Sequence, residues 1–390
     1  MNVDEKVLKI EKCKFHNHDL REFRGWLSEY IPNHVLLNKI QVGGTNGKGS
    51  TCQWMHDLLV NSGFKVGLFT SPHLVTHFER IKINNENISS LDWERIYDQY
   101  ESVFDEKKMT MFEIDLWMAI AYFVEQKVDV AIIEVGLGGR EDSTTALDYM
   151  ATVITNVGFD HMELLGDSIE QITFEKSGIF KPGVIALTTE KKENSQKVME
   201  IIAGYIEAML GFVELPYREE NGKYVFEWMD DTYTMDPPVY QIDNLALALE
   251  TLSCVGYSLS KEVVQKTIDE FQWKGRFTIL NENPKVIIDG AHNTHGMEAL
   301  IKSIPEWHGH IYFSALKEKN VLEMLEMLKK YNCPITLVSI HSERMYDLKE
   351  LDYPLITCDE LIEILKNPKE DMLLCGSLYF VGEVLEKING

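Results

Sequence analysis

The stretch Val42-Gly43-Gly44-Thr45-Asn46-Gly47-Lys48-Gly49-Ser50-Thr51 decides the fold of this chain. An apolar run precedes it, and a helical pattern that ends at Asn61-Ser62-Gly63 follows it. Strand, glycine loop and helix in that order form a phosphate-binding loop, because glycines let backbone N–H groups turn around phosphate oxygens. The spacing departs from G-x-x-x-x-G-K-[ST], since Gly49 separates Lys48 from Ser50, and a plain glycine-rich turn is the alternative.

The loop predicts how the phosphates of a nucleotide would be held. The N-terminus of the following helix adds a partial positive charge. Lys48 is placed to reach the β- and γ-phosphates, and Ser50 or Thr51 to lie near a metal ion. We therefore predict that the nucleotide-binding segment comprises Thr45, Asn46, Gly47, Lys48, Gly49, Ser50 and Thr51.

Short apolar runs alternate with longer helical patterns along the rest of the chain. This alternation is typical of parallel βαβ units and predicts an α/β fold. The segment 211–238, with polar alternation and turns, suggests a small antiparallel hairpin region. The predicted strands are Val35–Val42, Lys65–Thr70, Val130–Val135, Thr152–Val157, Gly183–Leu187, Lys285–Ile288, His310–Ser314, Ile335–Ile340 and Met372–Leu374.

The length of 390 residues suggests two or three domains, at about 100–200 residues each. A helical pattern over Lys261–Phe271 ends shortly before a fresh strand begins at Lys285. We therefore predict one domain over residues 1–274 and a smaller one over residues 275–390.

Composition excludes several classes of function. With 38 Lys and Arg against 62 Asp and Glu, the net charge is -24, which disfavours nucleic acid and anionic lipid as partners. An anionic small ligand then needs local cations, backbone N–H groups or a metal. The six cysteines form no CxxC pair, the N-terminus lacks an apolar signal segment, and the longest apolar run, Leu116–Val124, is too short to span a membrane. We expect a cytoplasmic protein.

Two later strand ends carry residue types that bind divalent metals. Glu134 lies in the buried run Val130–Val135 before a glycine turn, and His161 follows the run 152–157. Ligands of parallel sheets lie at the carboxyl ends of strands, where a carboxylate or a neutral imidazole can ligate a metal. For Glu134 the alternative is an ion pair with Arg140, which could otherwise bind an anionic group.

Two residues favour structural interpretations. Thr110 and Glu113 have the spacing of a capping box at the start of an apolar helix, so we interpret Glu113 as structural. Lys176 lies on a short predicted helix, and the residues alone indicate an ordinary solvated lysine.

The smaller predicted domain has a polar motif of its own, Asp289-Gly290-Ala291-His292-Asn293, after the strand 285–288. Asp289 could accept hydrogen bonds from ribose hydroxyls, and His292 could contact phosphate or substrate. Arg276, near the predicted boundary, could reach an anion when the domains close. The alternative is an Asx turn that leads into a helix from Thr294.

These segments together resemble the folylpolyglutamate synthase and dihydrofolate synthase family of the Mur ligase superfamily. The resemblance covers about residues 40–385 in the family's order. It implies an N-terminal ATPase domain with a parallel central sheet and a smaller Rossmann-like C-terminal domain. The matching stretches are GGTNGKGST, FTSPHL, ERIKINNENIS, TMFEIDLWMAIAYF, IIEVGLGGREDSTTAL, ITNVGFDHMELLGDSIEQITFEKSGIFKPG, DNLALAL, WKGRF, IIDGAHN and CGSLYFVGEV.

The resemblance also implies roles for individual residues. The phosphate-loop lysine corresponds to Lys48, and the lysine that family members carbamylate corresponds to Lys176, against its reading as a solvated residue. The implied Mg²⁺ ligands are Ser71, Glu134 and His161. The implied ATP contacts outside the loop are Asn244, Arg276, Asp289 and His292.

The activity implied by the resemblance is an ADP-forming ligase that joins L-glutamate to tetrahydrofolate, its polyglutamates or dihydropteroate, using ATP and Mg²⁺. Its catalytic residues would be Lys48, His161, Lys176 and His292. Arg80, Arg140 and Lys176 are candidates for substrate binding, and we expect a monomer. The alternatives are a Mur-type ligase for a cell-wall precursor and, from another class, a phosphate-loop switch ATPase that acts on a partner protein.

Overall fold

The computed structural model describes residues 2–13 and 18–389. The chain divides into two compact units. The first comprises Met1–Arg218, Val225–Thr234 and Asp243–Phe271, and the second comprises Glu219–Tyr224, Met235–Ile242 and Gln272–Gly390. A domain boundary between residues 274 and 275 remains a prediction.

Helices and strands alternate through most of the described residues. The helices are α1 (Val3–Glu11), α2 (Leu20–Tyr30), α3 (Lys48–Asn61), α4 (Ser90–Lys107), α5 (Met111–Glu125), α6 (Met162–Leu165), α7 (Ile169–Lys176), α8 (Glu193–Ile206), α9 (Tyr240–Cys254), α10 (Lys261–Glu270), α11 (Thr294–Ser303), α12 (Val321–Leu328), α13 (Cys358–Leu365) and α14 (Leu378–Asn389).

The strands fall into three sheets. They are β1 (Lys39–Gly43), β2 (Val66–Phe69), β3 (Ile81–Ile83), β4 (Glu86–Asn87), β5 (Val130–Glu134), β6 (Ala151–Ile154), β7 (Ile185–Thr188), β8 (Met209–Phe212), β9 (Tyr217–Glu220), β10 (Lys223–Trp228), β11 (Asp231–Met235), β12 (Thr278–Glu282), β13 (Lys285–Ile288), β14 (His310–Phe313), β15 (Ile335–Ser339), β16 (Leu355–Thr357) and β17 (Met372–Cys375).

The first unit is built on an eight-stranded sheet with the order β4-β3-β2-β5-β1-β6-β7-β8. The strands from β2 to β8 in this order pair in parallel, whereas β3 and β4 form an antiparallel edge. Strand β1 lies between β5 and β6, with Val42 opposite Glu134 and Gly43 opposite Ile154. The carboxyl ends of β2, β5, β1 and β6 therefore meet along one edge of the sheet, which is where parallel sheets bind ligands.

Helix α5 packs against this part of the sheet through a buried apolar core. The helix is apolar around most of its circumference, and Leu116, Trp117 and Phe123 are completely buried in a core that also contains Trp93. Phe123 lies against Gly67 of β2, where a Cβ would come within 2.8 Å of its ring. Truncating Trp117 to alanine would cost about 3–5 kcal/mol.

The second unit has a six-stranded sheet with the order β12-β13-β17-β14-β15-β16. Its strands run parallel except for the antiparallel pair β12 and β13. Strands β9, β10 and β11 form a third, three-stranded sheet in the predicted hairpin region. The two mixed sheets with intervening helices confirm the predicted α/β class. Within the described part of the chain, no helix is long and apolar enough to cross a membrane.

Two predictions about elements were wrong in part. The first predicted strand, Val35–Val42, starts too early, because Pro32–Leu36 forms a 3₁₀ helix and β1 begins only at Lys39. Proline at the first position of that turn favours helical geometry. The predicted hairpin region began at residue 211, but Met209–Phe212 is β8 of the large parallel sheet.

Candidate active site

The phosphate loop turns on two glycines with positive φ between β1 and α3. Gly44 has φ 137° and Gly47 has φ 84°, a conformation that suits a residue without a Cβ. Space imposes the same choice, because a Cβ on Gly44 would lie 1.9 Å from Thr155 Oγ1 and one on Gly47 2.4 Å from Asn244 Oδ1. Helix α3 begins at Lys48, with Gly47 as its N-cap and no side-chain cap hydrogen bond. Its N-terminus is therefore open to an anion.

The structure divides the N–H groups of the loop into two sets. Thr45 N–H donates to the Asn156 carbonyl over 2.8 Å, and Asn46 N–H donates to Asn156 Oδ1 over 3.1 Å. Both groups are thus committed to the segment after β6. The first N–H groups of a helix have no intrahelical acceptor. Within residues 45–49, the N–H groups of Gly47, Lys48 and Gly49 therefore remain for phosphate oxygens.

Two lysines converge on one carbonyl of the loop. Lys48 Nζ donates to the Gly44 carbonyl over 3.3 Å and to the Thr45 carbonyl over 3.4 Å, and Lys176 Nζ donates to the same Gly44 carbonyl over 3.1 Å. Burial, and then the positive charge of Lys48, lower the pKa of Lys176 to about 7. The reading of Lys176 as a solvated lysine was wrong, because only 4% of the residue is exposed.

The predicted metal ligands Ser71 and Glu134 lie beside each other at the ends of β2 and β5. Ser71 N–H donates to Glu134 Oε2 over 3.0 Å, and Glu134 is only 4% exposed. His161 follows the end of β6 and has a left-handed backbone with φ 51°. Its side chain is 39% exposed, and its Nε2 lies 3.9 Å from Asp160 Oδ1. The order β2-β5-β1-β6 therefore puts Ser71 and Glu134 on one side of the phosphate loop and His161 on the other.

The donor set suits a hard divalent cation bound together with phosphates. Among the described residues, no three His, Cys, Asp or Glu side chains form a ready metal cluster. Mg²⁺ commonly takes one or two carboxylates and completes its shell with water and substrate phosphates. One buried carboxylate, Glu134, which contacts the backbone of Ser71 and lies on the strand beside the phosphate loop, fits that pattern.

Two hydroxyls of α3, those of Ser50 and Thr51, were predicted to lie near the metal. Thr51 is fully buried, and its Oγ1 donates to Asn244 Oδ1 of α9 over 3.4 Å. The same Asn244 side chain packs against Gly47. Asn244 therefore contacts the loop, and the ATP contact that the resemblance implies for it remains a prediction. Ser50 is buried as well, with 2% of the residue exposed, and a position near the metal remains a prediction for both hydroxyls.

Arg80 is held rigidly in a buried polar network. Its Nε donates to His73 Nδ1 over 3.0 Å, and its Nη1 lies 3.4 Å from Asp115 Oδ2. Asp115 Oδ1 in turn lies 2.7 Å from His77 Nε2. Burial, and then the charge of Arg80, lower the pKa of His73 to about 4, so that His73 is neutral and accepts. Arg80 is thus a fixed guanidinium near the end of β2.

Arg140 makes its contacts with α7. Its Nη2 donates to the Phe174 carbonyl over 3.2 Å, its guanidinium lies 3.9 Å from the Phe174 ring centroid, and its Nε lies 4.0 Å from Glu175 Oε1. These contacts differ from the ion pair with Glu134 that the sequence left open. A substrate-binding role for Arg140 remains a prediction.

In the second unit, Asp289 at the end of β13 holds protein groups. Asp289 Oδ2 accepts from Tyr240 Oη over 2.7 Å and from Phe277 N–H over 2.8 Å, and its Oδ1 accepts from Ala291 N–H over 2.8 Å. Burial raises the pKa of Asp289, and the Arg276 charge opposes that shift. A ribose contact by Asp289 remains a prediction.

The rest of this motif is a capped turn. Asn293 is the N-cap of α11, and its side chain accepts from Gly296 N–H over 2.7 Å, as the Asx alternative predicted. His292 Nδ1 lies 2.8 Å from the Gly290 carbonyl, and because a carbonyl only accepts, Nδ1 carries the proton. Arg276 Nη1 donates to the Gly275 carbonyl over 3.1 Å. Nucleotide contacts by Arg276 and His292 remain predictions.

A buried network behind the loop was missed by the sequence. Asp142 accepts from Leu137 N–H over 2.9 Å, from Thr144 N–H over 3.0 Å and from Thr144 Oγ1, and burial raises its pKa. Thr144 also accepts from Gln41 Nε2 over 3.0 Å. Asp-x-Thr is the spacing of an Asx turn, a signal that could have indicated Asp142 but not its burial.

Glu113 is confirmed as structural. It is completely buried and forms a capping box with Thr110 at the start of α5. Its Oε1 also accepts from His18 N–H over 2.9 Å.

Comparisons with known proteins agree with this geometry. The Mur ligase middle domain matches residues 42–207 of this chain. Dihydrofolate synthase/folylpolyglutamate synthase of Bacillus subtilis (strain 168) is 32% identical over 389 residues, which cover 90% of this chain and 90% of that protein. The structure of E. coli FolC in complex with DHPP and ADP has a TM-score of 0.88 and 27% identity, and the match covers 100% of this chain and 98% of that one.

A further solved structure is that of a bifunctional folylpolyglutamate synthase/dihydrofolate synthase with Mn, AMPPNP and L-glutamate bound. Its TM-score is 0.89 with 25% identity, and the match covers 100% of this chain and 98% of that one. These matches confirm the predicted family and its two-part α/β fold. Because this chain is 32% identical to a relative over 90% of the length of both proteins, the chain belongs to the dihydrofolate synthase/folylpolyglutamate synthase family of Mur ligases and is an ATP-dependent ligase.

Proposed function

We propose that this protein joins L-glutamate to the carboxylate of a folate, with ATP converted to ADP and phosphate. The observation that carries the proposal is the open N-terminus of α3, flanked by Lys48 and Lys176 on one loop carbonyl, in a chain of this family. The relatives of this chain named above support the substrates, since one binds DHPP and ADP and another binds AMPPNP and L-glutamate.

The chemistry explains why ATP is needed. A carboxylate is a poor acyl donor because its leaving group is oxide. In the first step a carboxylate oxygen attacks the γ-phosphorus, the bond to the β-γ bridging oxygen breaks and ADP leaves, which gives an acyl phosphate. In the second step the amino nitrogen of glutamate attacks the acyl carbon and loses a proton. The C–O bond then breaks and phosphate leaves with its electron pair, which completes the amide.

The residues around the loop act by position and charge. Phosphoryl transfer requires little covalent chemistry from a protein and depends on alignment and neutralisation of charge. Lys48 and the N–H groups of Gly47 and Lys48–Gly49 would hold the β- and γ-phosphate oxygens. A bound Mg²⁺ would neutralise part of the phosphate charge, with Ser71, Glu134 and His161 as the residues that hold it. The relative with Mn bound supports a divalent metal, and magnesium is our proposal.

Lys176 is proposed to be carbamylated, as the resemblance implies. A carbamate forms when a neutral amine attacks the carbon of CO₂ and loses a proton. The pKa of Lys176 near 7 supports this reaction, because about half of the amine is neutral at that pH. The product would exchange a cation beside Lys48 for an anion, which removes the repulsion between the two ammonium groups.

Arg80 is the residue that we propose for a substrate carboxylate. Its guanidinium is fixed by His73 and Asp115, and a fixed fork loses little entropy on binding a carboxylate. We further propose that residues 15–35 and 71–82 face the pterin; of these, residues 15–17 lie outside the described structure. Substrate binding by Arg140, a catalytic role for His292, a monomeric state and a cytoplasmic location also stay predictions.

The test is ADP release measured with ATP and Mg²⁺ while the acceptors are varied. Tetrahydrofolate, dihydropteroate and L-glutamate are tested singly and in acceptor-plus-glutamate pairs. We expect ADP release only when a pteridine acceptor and glutamate are both present. The ratio of the ADP release rates with the two acceptor-plus-glutamate pairs tells which acceptor is preferred. Release that ignores both acceptors and glutamate would contradict the proposal and favour the switch ATPase.

A further inference from the structure

We propose that Asn156 is a positioning residue that holds the phosphate loop in its ATP-binding conformation before ATP arrives. The inference concerns the residue just after β6, which no motif of the loop includes. It rests on the proposed function, because it assigns the loop to the ATP phosphates.

The side chain of Asn156 pairs with the backbone of Asn46 at two points. Its Oδ1 accepts from Asn46 N–H over 3.1 Å, and its Nδ2 donates to the Asn46 carbonyl over 3.0 Å. The carbonyl of Asn156 itself accepts from Thr45 N–H over 2.8 Å. A carboxamide has one donor edge and one acceptor edge, and here both edges meet the two groups of one loop residue.

Thr155 supports the same loop residue from the end of β6. Its Oγ1 donates to the Asn46 carbonyl over 2.6 Å, and Thr155 is completely enclosed. It occupies the space that the missing Cβ of Gly44 leaves, since that Cβ would lie 1.9 Å from Thr155 Oγ1. The Asn46 carbonyl therefore accepts two hydrogen bonds, one from each of two consecutive residues.

These hydrogen bonds fix the orientation of the peptide between Asn46 and Gly47. In a trans peptide the C=O and the following N–H point in opposite directions. Because Thr155 and Asn156 draw the Asn46 carbonyl toward themselves, the Gly47 N–H points away from them. A carbonyl that would repel a phosphate is thus turned aside, and an N–H that can bind one is presented instead.

The loop needs this support because glycine makes it flexible. Gly44 and Gly47 have positive φ values, and glycine loses more conformational freedom on ordering than any other residue. A loop that is already ordered does not have to be ordered by the ligand, which raises affinity. Without the Asn156 carboxamide, ATP would have to orient the 46–47 peptide itself. Two lost hydrogen bonds correspond to a weakening of about tenfold or more.

The experiment compares Asn156→Ala with Thr155→Val, their double variant and a matched control. The control is Asn38→Ala, whose Nδ2 donates to the Asp129 carbonyl at the other end of β1 and β5. Affinity for AMPPNP with Mg²⁺ is measured by calorimetry without folate or glutamate, and the KM values for ATP, folate and glutamate and kcat are measured in turnover. Melting temperature and circular dichroism report the fold.

We expect Asn156→Ala to raise the Kd for AMPPNP and the KM for ATP about tenfold, with the KM values for folate and glutamate almost unchanged. The double variant should weaken nucleotide binding further, because both side chains hold the Asn46 carbonyl. Unchanged nucleotide affinity, or an equal rise in all three KM values together with a lower melting temperature, would overturn the inference. If Asn156→Ala does not fold, Thr155→Val is tested alone. A rise in the KM for ATP without a rise in the KM values for folate and glutamate then supports the inference, and unchanged or equally raised KM values overturn it.

The outcome separates this inference from the proposed function. If the wild-type protein binds AMPPNP and forms product but Asn156→Ala behaves like Asn38→Ala, only the positioning role is lost. If the wild-type protein itself fails to bind AMPPNP, the proposed function and this inference fall together.

Discussion

The N-termini of α3 and α11 both follow a strand and a short turn, but they differ in whether a side chain caps them. Each helix follows a buried parallel strand, β1 or β13, through a short turn. Gly47 at the start of α3 makes no side-chain cap hydrogen bond, whereas Asn293 at the start of α11 accepts from Gly296 N–H. The first N-terminus is left open to a ligand, and the second is closed by the protein itself.

The charged groups near the two helix N-termini also differ. Lys48 and Lys176 both reach the Gly44 carbonyl beside α3. The turn before α11 instead contains the buried carboxylate Asp289, which accepts three protein hydrogen bonds. A chain with a net charge of -24 can therefore bind phosphates at one turn, because the fold collects cations and open N–H groups there. A strand–turn–helix motif alone does not decide what a turn binds.

Among the variants that test the difference between the two helix N-termini, we expect Lys48→Ala to have the largest effect. Removing the ammonium should lower kcat/KM on the order of 10³-fold, because the charge developing on the phosphates loses its partner. The melting temperature should hardly change, since Lys48 contacts only loop carbonyls. Lys197→Ala, at an exposed ion pair with Glu193, serves as the control. Near-normal turnover by Lys48→Ala would remove the loop from the mechanism.

His161→Ala tests whether the open turn also binds a metal. We expect the Mg²⁺ concentration for half-maximal turnover to rise roughly tenfold or more, because the proposed site loses one ligand. A metal titration of steady-state turnover measures this, with His308→Ala as a surface control. An unchanged titration curve would take His161 off the set of metal ligands.

The pH dependence of Lys176 tests the charge of this side chain beside the phosphate loop that precedes α3. Its pKa near 7 lies below the ordinary value, so the amine is neutral above that pH and cationic below it. The neutral fraction, and with it carbamylation, should fall by nearly tenfold for each pH unit below 7. Carbon NMR with labelled bicarbonate should show a carbamate signal that grows as the pH rises through 7. The signal should be missing in Lys176→Met, and a signal that persists in that variant would place the carbamate elsewhere.

The smallest effect belongs to the closed turn. Asn293→Ala should lower the free energy of unfolding by about 1 kcal/mol, which is the usual cost of a lost N-cap. The melting temperature should fall by a few degrees, with the KM for ATP unchanged. Thermal unfolding and steady-state kinetics measure the two quantities. If the KM for ATP rose as much as in phosphate-loop variants, the contrast between the two helix starts would be wrong.

Much of the active-site edge was predictable because each motif is local. The loop 43–51 and the strand end at Glu134 each follow an apolar run, and the parallel strands of one sheet align such ends. The turn at Asp289 follows an apolar run of the second unit. Strand boundaries were less accurate, as at Pro32–Leu36, where a 3₁₀ helix replaces the predicted start of β1. The roles of the predicted site residues still await the experiments above.

Three features could not be read from the residues. Lys176 looked like a solvated lysine, yet it is buried against Gly44, 132 positions away in the chain. Thr155 and Asn156 fell within the predicted strand Thr152–Val157, and no prediction was made for Asp142. Each acquires its importance from a distant segment that packs on it, and no local pattern records that partner.

The sequence by itself determined the α/β class and the phosphate loop, because apolar periodicity and glycine spacing act over a few residues, and the resemblance of its ordered segments indicated the family. Only the tertiary structure decided which N–H groups remain for phosphates, which lysine has a pKa near 7 and which helix start is closed. The reason is that burial and hydrogen-bond partners depend on the order of strands in the sheet. That order brings β6 beside β1 although more than a hundred residues separate them in the chain.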